Sequence, residues 1–320
     1  MKNIIVCCDG TGNQFEENIT NVVETYGLAK KNADQIVFYD PGVGTGGWQY
    51  DEGSSKLQAV SDLATGGGLQ KNIEDAYRYL MDVYDEGDHI YLFGFSRGAF
   101  TVRSLAGMLH KCGLLQSTAD NLMEFATKIY NTKNNSKVAA NFKSMFSRKC
   151  PVHFIGVWDT VGSLTMNAGK RFHDAKLNKE VSFGYHAMSI DEIRTDFPVS
   201  LWDEPKGKKQ VIEQVWFAGV HCNVGGWYDD RGLSNCALQW MVSKAIDCGM
   251  QVDSTALAGK KGNPHGKLED SHTGFWNFRG KNVRKISEGS KIHSSVIKRR
   301  NKSGNDYTPD NLPIDFEEVT

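Results

Sequence analysis

Gly94-Phe95-Ser96-Arg97-Gly98 sets one serine between two glycines, at the seam of an apolar run, HIYLFGF, and a helical run, RGAFTVRSLAGMLHKC. A strand-to-helix turn this tight tolerates only small residues around the serine, which accounts for Gly94, Gly98 and Ala99 and presents the hydroxyl above a sheet. The blander role for Ser96 is to cap the helix that follows. A serine hydroxyl becomes a nucleophile only when a base takes its proton, so the reactive role requires a histidine and a carboxylate to orient it. His221 closes QVWFAGV and opens the glycine-rich turn HCNVGGWY, the position of a loop-borne base; satisfaction by a nearby carbonyl is its alternative. His153 sits inside a strand and His186 at an expected helix start, so neither swings over the serine as easily. Asp159 ends VHFIGVW at another strand-to-turn junction, with helix capping as its alternative role. Asp191 and Asp196 are second choices, because HAMSIDEIRTDF reads as a helix with its acids toward solvent. The order serine, acid, histidine is that of strand-borne hydrolase sites.

Acyl transfer also needs donors for the oxyanion. The N–H of Arg97, next after the serine, is one. A second is expected from Gly10 or Thr11, in Asp9-Gly10-Thr11-Gly12-Asn13 after the first strand, although a tight turn explains those small residues equally well. Gly42-Val43-Gly44-Thr45-Gly46-Gly47 matches the dinucleotide fingerprint, but Pro41 precedes it and no helical periodicity follows, so a loop bordering the site is expected instead.

The elements that must hold these residues alternate. Apolar, β-branched or aromatic runs at 4–8, 35–39, 89–95, 152–158 and 211–220 read as strands, and LQKNIEDAYRYLMDVY (69–84) carries one apolar face at helical spacing. That pattern predicts a mostly parallel central sheet with helices on both faces, in one domain over 1–320, with a helical insertion at 117–149 and an extended tail at 301–320. A net charge of −1 and ordinary hydrophobic content give no bias toward nucleic acid. The cluster Lys298-Arg299-Arg300 reads as a solvated helix face. Seven scattered cysteines without a C-x-x-C pair fit neither zinc nor a disulfide framework and read as buried thiols; neither metal nor cofactor is expected. The first apolar run is too short for a signal peptide or a membrane span, so a cytoplasmic protein is expected, with signal-independent export left open.

With CDGTGN (8–13), FYDPGVGT (38–45), GFSRGAFTVRSLAGML (94–109), GVWDTVGS (156–163), HAMSIDE (186–192), QVWFAGVHCNVGGWY (214–228), IHSSVIKRR (292–300) and YTPDNLP (307–313) in this order, the chain resembles a known family nearly end to end. It is the α/β-hydrolase domain, long labelled as of unknown function, that also forms the catalytic part of type VI secretion lipase effectors. The resemblance implies an α/β-hydrolase-like fold and a Ser96, Asp159, His221 triad. The family often reads H-S-D-V-G-G-G-Y where this chain has HCNVGGWY, so Asn223 is neutral beside the base. The secreted lipases also carry membrane-associating segments for which this chain has little room. The expected activity is cofactor-free hydrolysis of carboxylic esters through an acyl-enzyme on Ser96. By analogy the substrates are lipid or phospholipid acyl esters, met in transient contact with a membrane. A silent binding or regulatory module on the same fold, and an amidase or peptidase using the same triad, remain alternatives. Trp48, Tyr50, Trp227 and Tyr228 are candidates to line the pocket.

Overall fold

Ile4, Val6 and Cys8 point to one side of the first strand and Ile5 and Cys7 to the other, and all five are fully buried. A strand apolar at every position is stable only inside a sheet covered on both faces. The computed structural model describes residues 1–10, 19–42, 67–161, 177–203, 209–278, 280–302 and 306–320. Its strands are β1 (Asn3–Cys8), β2 (Gln35–Asp40), β3 (His89–Phe95), β4 (Leu114–Leu115), β5 (Ser147–Arg148), β6 (Val152–Trp158), β7 (Phe183–Ser189), β8 (Val211–Phe217), β9 (Ser290–His293) and β10 (Phe316–Val319). Eight of them form one sheet in the order β10-β9-β8-β7-β6-β3-β1-β2, and each neighbouring pair runs parallel. β4 and β5 make a separate antiparallel pair.

The alternation of β1 repeats in β3, where Ile90 and Leu92 face one layer and Tyr91 and Phe93 the other. Of the helices, α1 (Asn21–Leu28) and α7 (Gly232–Asp247) cover the second face, while α2 (Gly67–Val83) and α3 (Arg97–Cys112) cover the first. The region expected as a helical insertion contains α4 (Met123–Asn131) and α5 (Ser136–Phe146), bracketed by β4 and β5. α6 (His221–Gly225), α8 (Ser254–Gly259) and α9 (Ser294–Arg300) are short. After β1 the chain moves to β2 on one side and then to β3 on the other. The strand order therefore reverses between β1 and β3, the position where α/β sheets open a crevice at their carboxyl ends.

Several sequence expectations need correction. HAMSIDEIRTDF is not helical: 186–189 complete β7, and His186 is fully buried there, its Nε2 accepting from the Thr160 N–H (3.1 Å). Asp191, just beyond that strand, does not face solvent; it accepts from the Gly219 N–H (2.6 Å) and the Tyr307 hydroxyl (2.8 Å). The carboxyl-terminal residues do more than lie over the domain, since β10 pairs with β9 as the edge strand. Within the basic cluster, Arg299 is tied down by the carbonyls of Pro264 and Gly266 (2.9 and 2.7 Å). All seven cysteines are free, five of them buried.

The glycines around Ser96 are set by close approach. A Cβ on Gly98 would lie 2.0 Å from the Cys8 carbonyl oxygen, and one on Gly94 would lie 2.4 Å from the Gly98 carbonyl oxygen. Gly98→Ala should therefore cost about 1–3 kcal/mol, the usual scale for overpacking. Gly27, inside α1 with nothing within 4 Å of an added Cβ, should behave oppositely, Gly27→Ala gaining about 0.5–1 kcal/mol from helix propensity. Urea denaturation of both variants checks the pair.

Candidate active site

β3 ends at Phe95, and the chain turns into α3 through Ser96, whose φ of 57° and ψ of −119° lie where L-residues are strained. The turn is held by the Ser96 N–H donating to the Trp158 carbonyl (3.1 Å), which ties it to the end of β6. The Ser96 side chain makes no capping hydrogen bond, so the capping role does not account for it.

One residue beyond Trp158, Asp159 also takes a positive φ, 39°. Its carboxylate has no exposure and is fully engaged. Oδ1 accepts from the Ser189 N–H (2.9 Å) and from Arg284 Nη1 (2.6 Å). Oδ2 accepts from Arg284 Nη2 (3.0 Å) and lies 2.6 Å from His221 Nδ1. Burial alone would raise this carboxyl. The charge of Arg284 and the hydrogen bond from His221 outweigh burial and hold it well below the usual carboxylate range, so it stays ionised. An ionised Asp159 makes Nδ1 the protonated ring nitrogen and leaves Nε2 as the basic one.

His221 opens α6, the short helix that follows β8. Its own N–H donates to Glu192 (3.2 Å). The ring packs against Phe95 at 4.6 Å between centroids and meets Phe197 edge-on at 5.1 Å. Gly225 makes this approach feasible, because a Cβ there would stand 2.0 Å from the Phe95 ring. Burial draws the imidazole below its ordinary pKa, against the upward pull of Asp159 and Glu192. The Cys222 thiol beside it is pushed up to about 12 by burial and is therefore no rival nucleophile.

The structure thus joins Asp159 and His221 directly and sets Ser96 at the end of the strand neighbouring Asp159. Arg97 is the first residue of α3, at the positive end of the helix dipole, and burial draws its guanidinium down to about 10. The Gly10 N–H, in contrast, donates to Asp9 Oδ1 (2.7 Å). Asp9 also accepts from Thr20 Oγ1 (2.6 Å) and the Tyr39 hydroxyl (3.0 Å), so its carboxylate serves as the internal anchor of that loop. Thr11 lies outside the described residues, as do Trp48, Tyr50 and all of the Gly42–Gly47 run except Gly42. Gly42 has φ 85°, and a Cβ on it would meet the Gly10 carbonyl oxygen at 2.4 Å, so it serves close loop packing.

Asn223 is buried with both ends of its amide in use. Nδ2 donates to the Lys267 carbonyl (3.1 Å), and Oδ1 accepts from the Val220 and Glu269 N–H groups (3.3 and 3.2 Å). A carboxylate would lose the donor and set its charge against a carbonyl, so asparagine suits this chain's own packing.

Sequence reasoning missed Arg284. It is buried, and besides Asp159 it donates to the Ser189 carbonyl (2.9 Å) and hydroxyl (2.7 Å) and to the Phe197 carbonyl (2.8 Å). Its neighbours in FRGKNVRK are also cations, so nothing local marks it out. Arg284→Met would leave the carboxylate buried without its fork. We expect a loss of about 3–5 kcal/mol in urea denaturation and, by NMR, a rise in the pH at which His221 titrates, because the Asp159 carboxylate, no longer shared with a guanidinium, would stabilise the imidazolium more strongly.

The catalytic domain described as T6SS, Phospholipase effector Tle1-like, matches residues 2–244. "Uncharacterized protein YEL023C" of Saccharomyces cerevisiae is 34% identical over 217 residues, 61% of this chain and 32% of the yeast protein. A crystal structure of an uncharacterized protein from Pseudomonas aeruginosa superposes with a TM-score of 0.47 at 18% identity, covering 82% of this chain and 49% of that one. The Tle1 effector bound to the VgrG spike of the type 6 secretion system superposes with a TM-score of 0.39 at 18% identity, covering 72% and 52%. The chain therefore spans about a third of the yeast relative and about half of each solved chain. Among the described residues no helix is long and apolar enough to cross a membrane. With well over half of its length matched, this chain belongs to the Tle1-like phospholipase effector catalytic-domain family.

Proposed function

We propose that the protein hydrolyses carboxylic esters through an acyl-enzyme on Ser96, with lipid or phospholipid acyl esters as the substrate class. The observation that carries this reading is a strained, uncapped serine at the end of β3 together with a buried Asp159–His221 hydrogen bond of 2.6 Å that joins the end of β6 to the turn after β8. Family membership supports a lipase-type hydrolase.

In this mechanism His221 Nε2 takes the proton of Ser96 as Oγ attacks the ester carbonyl. Asp159 accepts from Nδ1–H and stabilises the imidazolium, while Arg284 and the Ser189 N–H hold the carboxylate in place. The Arg97 N–H at the start of α3 is offered to the oxyanion, with Thr11, the remaining candidate after β1, as the second donor. His221 then gives its proton to the departing alkoxide. Water, activated by the same imidazole, attacks the acyl group and frees the serine.

Two outcomes test the reading. A fluorophosphonate should add once to the wild type by intact mass and not at all to Ser96→Ala, and both Ser96→Ala and His221→Ala should lose at least about 1,000-fold in kcat on p-nitrophenyl esters. A His221→Ala variant keeping a tenth of the wild-type rate would overturn the assignment. A matched ester and amide pair separates esterase from amidase. The second outcome is a pH profile. Because His221 titrates below the ordinary histidine value of about 6.5 and acts as the neutral base, kcat/KM should be flat through neutrality and fall only on acidification below that value.

A further inference from the structure

Residues 274–285 read GFWNFRGKNVRK, three aromatics and four cations with no acid, in a chain whose net charge is −1. The segment is stitched beside the candidate site. The Thr195 N–H donates to the Gly280 carbonyl (3.1 Å), the Asn282 N–H donates to the Ile193 carbonyl (2.7 Å), and Arg194 pairs antiparallel with Lys281. On its inner side Trp276 meets Phe197 edge-on at 5.3 Å and lies under the Arg194 guanidinium at 5.1 Å; Phe197 in turn abuts His221. Its far end is Arg284, which grips Asp159. Toward water it presents Phe278, 89% exposed, and Val283, 52% exposed, with Lys281 and Lys285 exposed as well.

We infer that this ribbon is a docking surface for an anionic lipid bilayer; the inference rests on the ester-hydrolase reading and names where its substrate phase meets the protein. An exposed aromatic among cations is the composition of segments that settle at a membrane interface, the ring among the headgroups and the cations against anionic lipid. Protein-binding patches, by contrast, are depleted in lysine. Because the ribbon contacts Phe197 and Asp159, a bilayer engaging Phe278 would rest on the segment packed beside the candidate site.

The test is cosedimentation of Ser96→Ala, chosen so that the vesicles stay intact, with phosphatidylcholine vesicles with and without phosphatidylglycerol. Binding should require phosphatidylglycerol and weaken with salt. Adding Phe278→Ser should weaken it about tenfold, and adding Lys281→Gln or Lys285→Gln about fivefold each. Equal binding with and without phosphatidylglycerol, no binding at all, or a Phe278→Ser protein that binds like its parent would overturn the inference; no binding at all would be the result for a surface that takes a protein partner. With Ser96 intact, Phe278→Ser should retain turnover of a short soluble p-nitrophenyl ester, and its loss would mark the residue as structural and overturn the assignment. The two readings fail separately. A wild type that binds the anionic vesicles but turns over no ester sinks the hydrolase and leaves the lipid surface, and the reverse pattern does the opposite.

Discussion

A carboxylate with no exposure to water is the constraint around which the candidate site is built. Taking Asp159 out of water is costly unless the charge is paired and its lone pairs are filled, and four donors fill them: the Ser189 N–H, both Nη groups of Arg284 and the ring of His221. The three residues that supply these donors come from different elements. Ser189 ends β7, Arg284 comes from the segment before β9, and His221 opens α6. The ends of these elements are therefore not free to drift independently, because any one of them moving away would strand a buried charge.

The elbow adds a second rigid junction. Gly98 lies so close to the Cys8 carbonyl that α3 rests directly on the end of β1, and the Ser96 N–H is bonded to the end of β6. Backbone strain at Ser96 and Asp159, typically about 1–3 kcal/mol for such a conformation, persists because the sheet around them is packed on both faces. The stable parallel core and the strained strand ends are thus parts of one arrangement: the core supplies the energy that keeps two non-glycine residues at positive φ.

How much of this the sequence disclosed follows from what each residue signals locally. β1, β2, β3, β6 and β8 are apolar or β-branched runs and announce themselves. β7 reads FGYHAMS, with a glycine and a histidine inside it and an acidic stretch beyond, and its strand character comes from pairing with β6 and β8. β9 (SKIH) and β10 (FEEV) are short and polar because they lie at or near the sheet's edge, where a strand needs little apolar surface. Ser96 was legible through its glycines, and Asp159 and His221 through their places at strand ends. Arg284 was not, since its burial is a long-range fact. The Gly10 N–H looked available because nothing in the sequence shows that the neighbouring Asp9 side chain folds back onto it.

The fork from Arg284 to Asp159 joins residues 125 positions apart, and that separation has a meaning in time. A ribosome adding about 5–20 residues per second needs on the order of ten seconds to pass from one to the other. During that interval the β6 end exists without the cation that makes its burial tolerable, and His221 emerges partway through it. The nascent chain therefore holds the acid and the histidine of the candidate site before it holds the cation that locks them together, so this corner is completed only after both have emerged.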